Sequence, residues 1–166
     1  MPEQRELTHR VGIGYDSHRL APGGPLRLGG VDIPAAMHCV AHSDGDAVCH
    51  AVTDAILGGA GLGDIGEMFP DTDDANRGRD SIEMLEAALR RISDDGWSVG
   101  NVDITVITER PKIGAHRVAI RASLATALRI REDHVGIKGK TNEGLGFIGR
   151  EEGLGVIAVV SLVRHE

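Results

Sequence analysis

The stretch His42-Ser43-Asp44-Gly45-Asp46-Ala47-Val48-Cys49-His50-Ala51-Val52-Thr53-Asp54-Ala55-Ile56-Leu57 sets the terms for the rest of the chain. Ser43 and Asp44 are good helix N-cap residues, and Val48, Ala51, Val52, Ala55 and Ile56 recur behind them at helical spacing. An amphipathic helix reaching Leu57 is therefore expected. At about 100° per residue, Asp46, His50, Thr53 and Asp54 fall on the opposite arc, with the imidazole one turn from a carboxylate on either side. Such an arc is either a solvated polar face with an incidental histidine or half of a metal site.

Toward the N-terminus, residues 10–15 alternate as a first strand that is expected to deliver Asp16 and His18 at its C-terminal end. Residues i and i+2 point to one face of extended chain, so this carboxylate and imidazole can grip the same ion. His50, from a distant element, would complete a set of three. Three protein ligands leave one tetrahedral position open, which distinguishes a catalytic zinc from a structural one. A surface Asp-x-His pair is the alternative. Leu26-Arg27-Leu28, Gly29-Gly30 and Val31-Asp32-Ile33 read as a hairpin with a two-glycine turn, a scaffolding element.

Toward the C-terminus, residues 58–73 hold too many glycines and too little periodicity for an element, and loops this long are usually functional. Asp80 or Ser81 caps a second helix with Ile82, Leu85, Leu89 and Ile92 as its core stripe and Gly96 at its end, and no chemistry is evident there. Val102, Ile104 and Val106 alternate in a strand that breaks at residues 109–114, and a third helix follows over residues 115–128. Lys112 thus sits on a strand-to-helix loop that can present a cation and free amides to an anion.

Residues 134–140 read as a further strand, which runs into Thr141-Asn142-Glu143-Gly144-Leu145-Gly146-Phe147-Ile148-Gly149-Arg150. Lysines, a hydroxyl, a carboxylate and glycines together suit a diphosphate with its own divalent cation, held by Glu143. The last strand, residues 154–163, is apolar without clean alternation and is expected to be buried on both faces, one of them by another subunit.

Composition narrows the class. The 166 residues fit one domain, 1–166, able to bury about 70% of its unfolded surface without a disulfide staple. Aromatics are only 2% of the chain, so the core must be aliphatic, and 23 glycines imply tight turns and close backbone approaches. A net charge of −7 argues against a nucleic-acid surface. Cys39 and Cys49 lack any CxxC spacing and read as reduced thiols. Residues 1–10 have no apolar signal region and the longest apolar run, residues 156–160, is too short for a bilayer, so a cytoplasmic protein with no membrane partner is expected.

Several of these segments together resemble the 2-C-methyl-D-erythritol 2,4-cyclodiphosphate synthases of the non-mevalonate isoprenoid pathway. They are Gly14-Tyr15-Asp16-Ser17-His18, His42 to Asp46 with His50 and Asp54, Gly63-Asp64-Ile65-Gly66 followed by Phe69-Pro70-Asp71-Thr72-Asp73, Pro111-Lys112, and Thr141 to Arg150. The resemblance implies a zinc on Asp16, His18 and His50, and a second divalent cation, Mg²⁺ or Mn²⁺, on the substrate diphosphate with Glu143 as its protein contact.

It further implies catalytic roles for His42 and Thr141, and phosphate contacts around His42, Ser43 and Thr141. The erythritol pocket would be lined by Phe69, Pro70, Asp71, Thr72 and Asp73, and the ribose taken by Asp64 and Gly66, with Ile65 a further substrate position. The cytosine would lie on the segment containing Thr108, Pro111, Lys112 and Gly114. Ser17, Lys140, Asn142, Phe147 and Arg150 are further substrate positions. The implied fold is an α/β two-layer, ferredoxin-like domain, a mixed sheet with helices on one face, built into a homotrimer with active sites between subunits.

Lys140 and Asn142 depart from the small or hydroxylated residues more common in the family, and Ile157 stands where some relatives carry a glutamate facing the trimer axis. The expected reaction is a phosphorus-oxygen lyase step: the substrate 2-phosphate attacks the β-phosphorus and expels CMP. Two other readings use the same ligands, a zinc phosphohydrolase with water in the fourth position and a metal-dependent trimeric binding module.

Overall fold

The computed structural model describes residues 7–165. Its central sheet has five strands: β1 (His9–Pro22), β4 (Met37–Val40), β5 (Trp97–Ile107), β6 (Val135–Lys140) and β7 (Gly153–Arg164). They lie in the order β4-β1-β7-β5-β6. Every neighbouring pair is antiparallel except β5 and β6, so the sheet is mixed. The parallel pair is joined by helix α4 (Arg117–Leu128), the crossover that such a pair requires. β2 (Leu26–Leu28) and β3 (Val31–Ile33) form a separate hairpin whose turn glycines have φ of 61° and 77°, as a primed turn demands.

Helix α1 (Ala47–Ala60) lies directly on β1. A Cβ on Gly12 or Gly14 would come within 1.9 Å of the carbonyl oxygen of Ala55 or Ala51, so helix and strand backbones touch. Alternate glycines on the strand thus meet small residues four apart on the helix, Ala51, Ala55 and Gly59. The helix is buried almost all round, and Asp46, Thr53 and His50 are buried with it. Both sequence alternatives for its polar arc assumed a face toward solvent or a ligand. Of the arc, His50 lines a cavity, while Asp46, Thr53 and the half-buried Asp54 bond to backbone groups.

Helix α3 (Ser81–Asp94) is the ordinary amphipathic case, with Leu85, Leu89 and Ile92 inward and Asp80 as N-cap accepting from the Ile82 and Glu83 amides. Sheet residues Val102, Ile104, Val106, Val156, Ala158, Val160 and Leu162 complete the core beneath α1, α3 and α4. Trp97, fully buried, has the guanidinium carbons of Arg10 and Arg164 over its ring, 4.5 and 5.2 Å from the ring centre.

Four expectations need correction. α1 begins at Ala47, capped by Asp46, because Gly45 in the left-handed region (φ 78°) turns the chain after Asp44. It continues past Gly58 and Gly59 to Ala60, with Gly59 packed against Gly12 of β1 and Gly58 on the open side, so the segment after it is shorter than residues 58–73 and contains a small helix, α2 (Ile65–Met68). β1 does not end before Asp16; pairing with β4 extends it to Pro22, which leaves Asp16 and His18 in mid-strand. β7 alternates after all: Ile157 and Val159 are exposed while Val156, Ala158 and Val160 are buried.

Candidate metal centre and substrate site

Asp16 and His18 share one face of β1, and α1 lays His50 against them. Asp16 Oδ2 is 2.8 Å from His18 Nε2 and 3.1 Å from His50 Nδ1, and the two ring nitrogens are 3.1 Å apart. Two imidazole nitrogens and a carboxylate oxygen lying this close together form a donor set that fits a divalent cation, and all three residues line one cavity. Burial works to raise the Asp16 pKa, but hydrogen bonds and charge from His18 and His50 outweigh it and hold the carboxylate well below its usual range. Burial opposes the charged form of His50, yet Asp16, by hydrogen bond and charge, wins and raises its pKa.

The cavity beside this cluster measures about 220 Å³ and is lined by Asp16, His18, His42, Ser43, His50, Ile65, Gly66, Phe69 and Asp71, with Ala41, Asn76 and Met84. Loop contacts hold it open: the Gly78 amide donates to the His42 carbonyl, Asn76 Nδ2 donates to the Pro70 carbonyl, and the Arg79 guanidinium stacks on Phe69 at 4.8 Å. Among the described residues, His42 Nε2 is buried without a hydrogen-bond partner, which leaves it available to a ligand oxygen.

Other expected residues stand at the rim or elsewhere. Asp64 caps α2, accepting from the Glu67 amide, and Asp73 accepts from the Ala75 amide; neither lines the cavity, nor do Pro70 and Thr72. Ser17 lies on the opposite face of β1 from Asp16 and His18, where alternation must put it.

Thr108, Pro111, Lys112, Gly114, Lys140 and Thr141 gather in a second pocket of about 250 Å³ with Arg117. The two pockets share no lining residue. At the edge of the second, Thr141 Oγ1 donates to Glu143 Oε1 at 3.2 Å, while Glu109 Oε1 accepts from the Asn142 and Gly144 amides and so ties the loop down. Glu143 has φ 52°, a strained value for a side-chain-bearing residue. Phe147 is exposed, and Arg150 is engaged with Glu152 at 2.8 Å.

Sequence reasoning missed the support behind His50. Asp46 and Asp54, the carboxylates one turn to either side of His50, do not bond to it: Asp46 accepts from the Gly29, Gly30 and Cys49 amides and Asp54 from the Ile65 amide. His50 Nε2 instead faces Ser81 Oγ and Ser43 Oγ. Ser81 carried no signal beyond its place beside a helix cap, because its partner lies 31 residues away. The thiols are inert: Cys39 and Cys49 are free and buried, and burial pushes Cys39 up to about 12.

The YgbB family model matches residues 9–163. The 2-C-methyl-D-erythritol 2,4-cyclodiphosphate synthase of Gemmatimonas aurantiaca is 70% identical over 157 residues, 95% of each chain. A solved 2C-methyl-D-erythritol-2,4-cyclodiphosphate synthase in a CDP-bound form superposes with a TM-score of 0.85 at 44% identity, over 92% of this chain and 99% of that one. The bifunctional IspDF of Campylobacter jejuni gives a TM-score of 0.92 at 41% identity over 95% of this chain, which spans 43% of the IspDF chain. No helix among the described residues is long and apolar enough to cross a membrane.

Proposed function

The chain belongs to the YgbB family, and we propose that within it the protein converts 4-diphosphocytidyl-2-C-methyl-D-erythritol 2-phosphate to 2-C-methyl-D-erythritol 2,4-cyclodiphosphate and CMP. One phosphorus–oxygen bond forms as the 2-phosphate attacks the β-phosphorus, and one breaks as CMP leaves. The observation that carries this reading is the convergence of Asp16, His18 and His50 at a cavity lined by His42 and Ser43.

Bringing two like-charged phosphates together needs positioning and charge neutralisation more than covalent chemistry. Asp16, His18 and His50 would hold a zinc ion, which supplies Lewis-acid charge at a phosphate oxygen. Glu143 would hold Mg²⁺ or Mn²⁺ with the diphosphate. His42, through its unpartnered Nε2, and Ser43 and Thr141, through their hydroxyls, orient phosphate oxygens; Lys112 and Lys140 add positive charge. Ile65, Gly66, Phe69 and Asp71 enclose the erythritol and ribose side, and Thr108, Pro111 and Gly114 the base.

The site is assembled between subunits of a homotrimer. Supporting this, Val11, Ile13 and Tyr15 of β1 pair across the sheet with Ser161, Val159 and Ile157 of β7 on a face that the helices leave uncovered. Val11 and Ile13 are 72% and 70% exposed, more apolar surface than a lone chain this small usually shows. A ring of three would bury that face and bring the metal cavity of one copy to the Lys112 and Thr141 pocket of the next. The protomer is read as one ferredoxin-like domain over residues 1–166, working in the cytoplasm.

Incubating substrate with the pure protein and following ³¹P NMR tests the reaction. Cyclic diphosphate and CMP should appear in equal amounts. An open bisphosphate beside CMP would reject the cyclisation, and an unchanged substrate spectrum would leave only a binding role.

A further inference from the structure

The hydrogen bonds behind His50 deepen the metal reading above and rest on it. His50 turns Nδ1 toward Asp16 and His18 and Nε2 toward the protein, 2.9 Å from Ser81 Oγ and 3.0 Å from Ser43 Oγ. An imidazole that offers its Nδ1 lone pair to a cation carries its proton on Nε2, and that proton needs an acceptor. The two hydroxyls are not equivalent. Ser81 is fully buried at the first residue of α3, and its own proton is committed, because Oγ donates to Asp44 Oδ1.

Asp44 in turn is surrounded by donors: the Ser81 amide at 3.0 Å, the Asp46 amide at 3.1 Å and Arg27 Nε at 3.0 Å. A carboxylate so placed accepts only and has no proton to return. Ser81 Oγ therefore meets His50 with lone pairs alone. Ser43 Oγ receives a long bond of 3.4 Å from the Gly45 amide and has no carboxylate to fix its proton among the described contacts.

We propose that Ser81 is a positioning residue which, held by Asp44 and through it by Arg27, accepts the Nε2 proton of His50 and fixes the tautomer and ring orientation that turn Nδ1 to the metal. The arrangement joins separate parts of the chain. Arg27, on the hairpin, also binds Asp32 and Asp80 at 3.0 and 3.1 Å, so the α3 cap, the hairpin and the loop before α1 are fastened at the point that orients the ligand. A Ser-to-Ala change at this site removes one oxygen and leaves Asp44 its three other donors, so the fold should survive it.

Zinc affinity by chelator competition, the Co²⁺ absorption spectrum and long-range ¹H–¹⁵N correlations of the zinc-loaded protein test the idea. Ser81→Ala should bind zinc about 10- to 100-fold more weakly, the range typical of partners that orient a ligand, with an altered Co²⁺ spectrum. Ser43→Ala should stay close to the parent in metal affinity. In the zinc-loaded parent, His50 should be metallated at Nδ1 and protonated at Nε2, a result that needs no variant to fold. Parental zinc affinity and Co²⁺ spectrum in Ser81→Ala, an equal loss in Ser43→Ala, or ligation through Nε2 would each overturn the inference. Failure of the underlying metal reading looks different: the parent would bind no zinc, or His50→Ala would keep the parent's full zinc content, and the inference would fall with it.

Discussion

Asp46 sits in a fully buried position because three backbone donors meet it there: the Gly29 amide at 2.7 Å, the Gly30 amide at 2.6 Å and the Cys49 amide at 3.0 Å. One carboxylate thereby caps α1 and pins the hairpin turn to it. Asp46→Ala would leave three amides without their acceptor, each worth about 1–3 kcal/mol when stranded, so a loss of roughly 3–5 kcal/mol is expected in urea unfolding. A midpoint unchanged from the parent would mean that water replaces the carboxylate without penalty. At this scale the sequence separated the candidate ligands from the groups hydrogen-bonded to them only in part. Asp16, His18 and His50 were legible because i, i+2 spacing on a strand and a histidine on a helix are local patterns. Ser81 and Arg27 were not, because their hydrogen bonds are to residues that only the fold brings near.

Between elements, the contact of α1 with β1 decides how close His50 comes to Asp16 and His18. Gly12 and Gly14 let the helix carbonyls approach the strand, and His50 reaches Asp16 only because that gap is closed. Gly14→Ala should therefore destabilise by about 3 kcal/mol or more, since neither backbone can move away without reopening the core. Gly58→Ala is the control, because its Cβ would meet nothing within 4 Å on the exposed side of α1, and it should stabilise by roughly 0.5–1 kcal/mol. Thermal or urea unfolding of the pair reads both signs. Equal effects would show that the close helix–strand contact does not govern packing. The same contact explains part of why helix length was misjudged from sequence: Gly58 and Gly59 look like breakers locally, while Gly59 is the small residue that lets the last turn of the helix pack on Gly12.

For the molecule as a whole, the uncovered apolar face of β1 and β7 and the separation of the two pockets are the two observations that support the proposed shared site. The apolar character of the last strand was legible in its sequence, but its burial on both faces was not met within one chain, since Ile157 and Val159 remain exposed. If each site takes its metal side from one subunit and its Lys112 and Thr141 side from the next, His50→Ala and Thr141→Ala should each be nearly inactive. Co-refolding them should restore activity toward about a quarter of the parent, the fraction of junctions that pair two unmutated sides in a random cyclic trimer. Mixed trimers, verified by mass spectrometry, that stay inactive would place both sides in one chain.

Intramolecular attack on the β-phosphorus is the claim on which the rest depends, and solvent labelling reaches it most directly. When the reaction runs in H₂¹⁸O, mass spectrometry should find both the cyclic diphosphate and CMP free of solvent oxygen, because the attacking atom comes from the substrate's own 2-phosphate. Incorporation of one ¹⁸O at the β-phosphorus, in an open product, would contradict the account and identify the protein as a hydrolase.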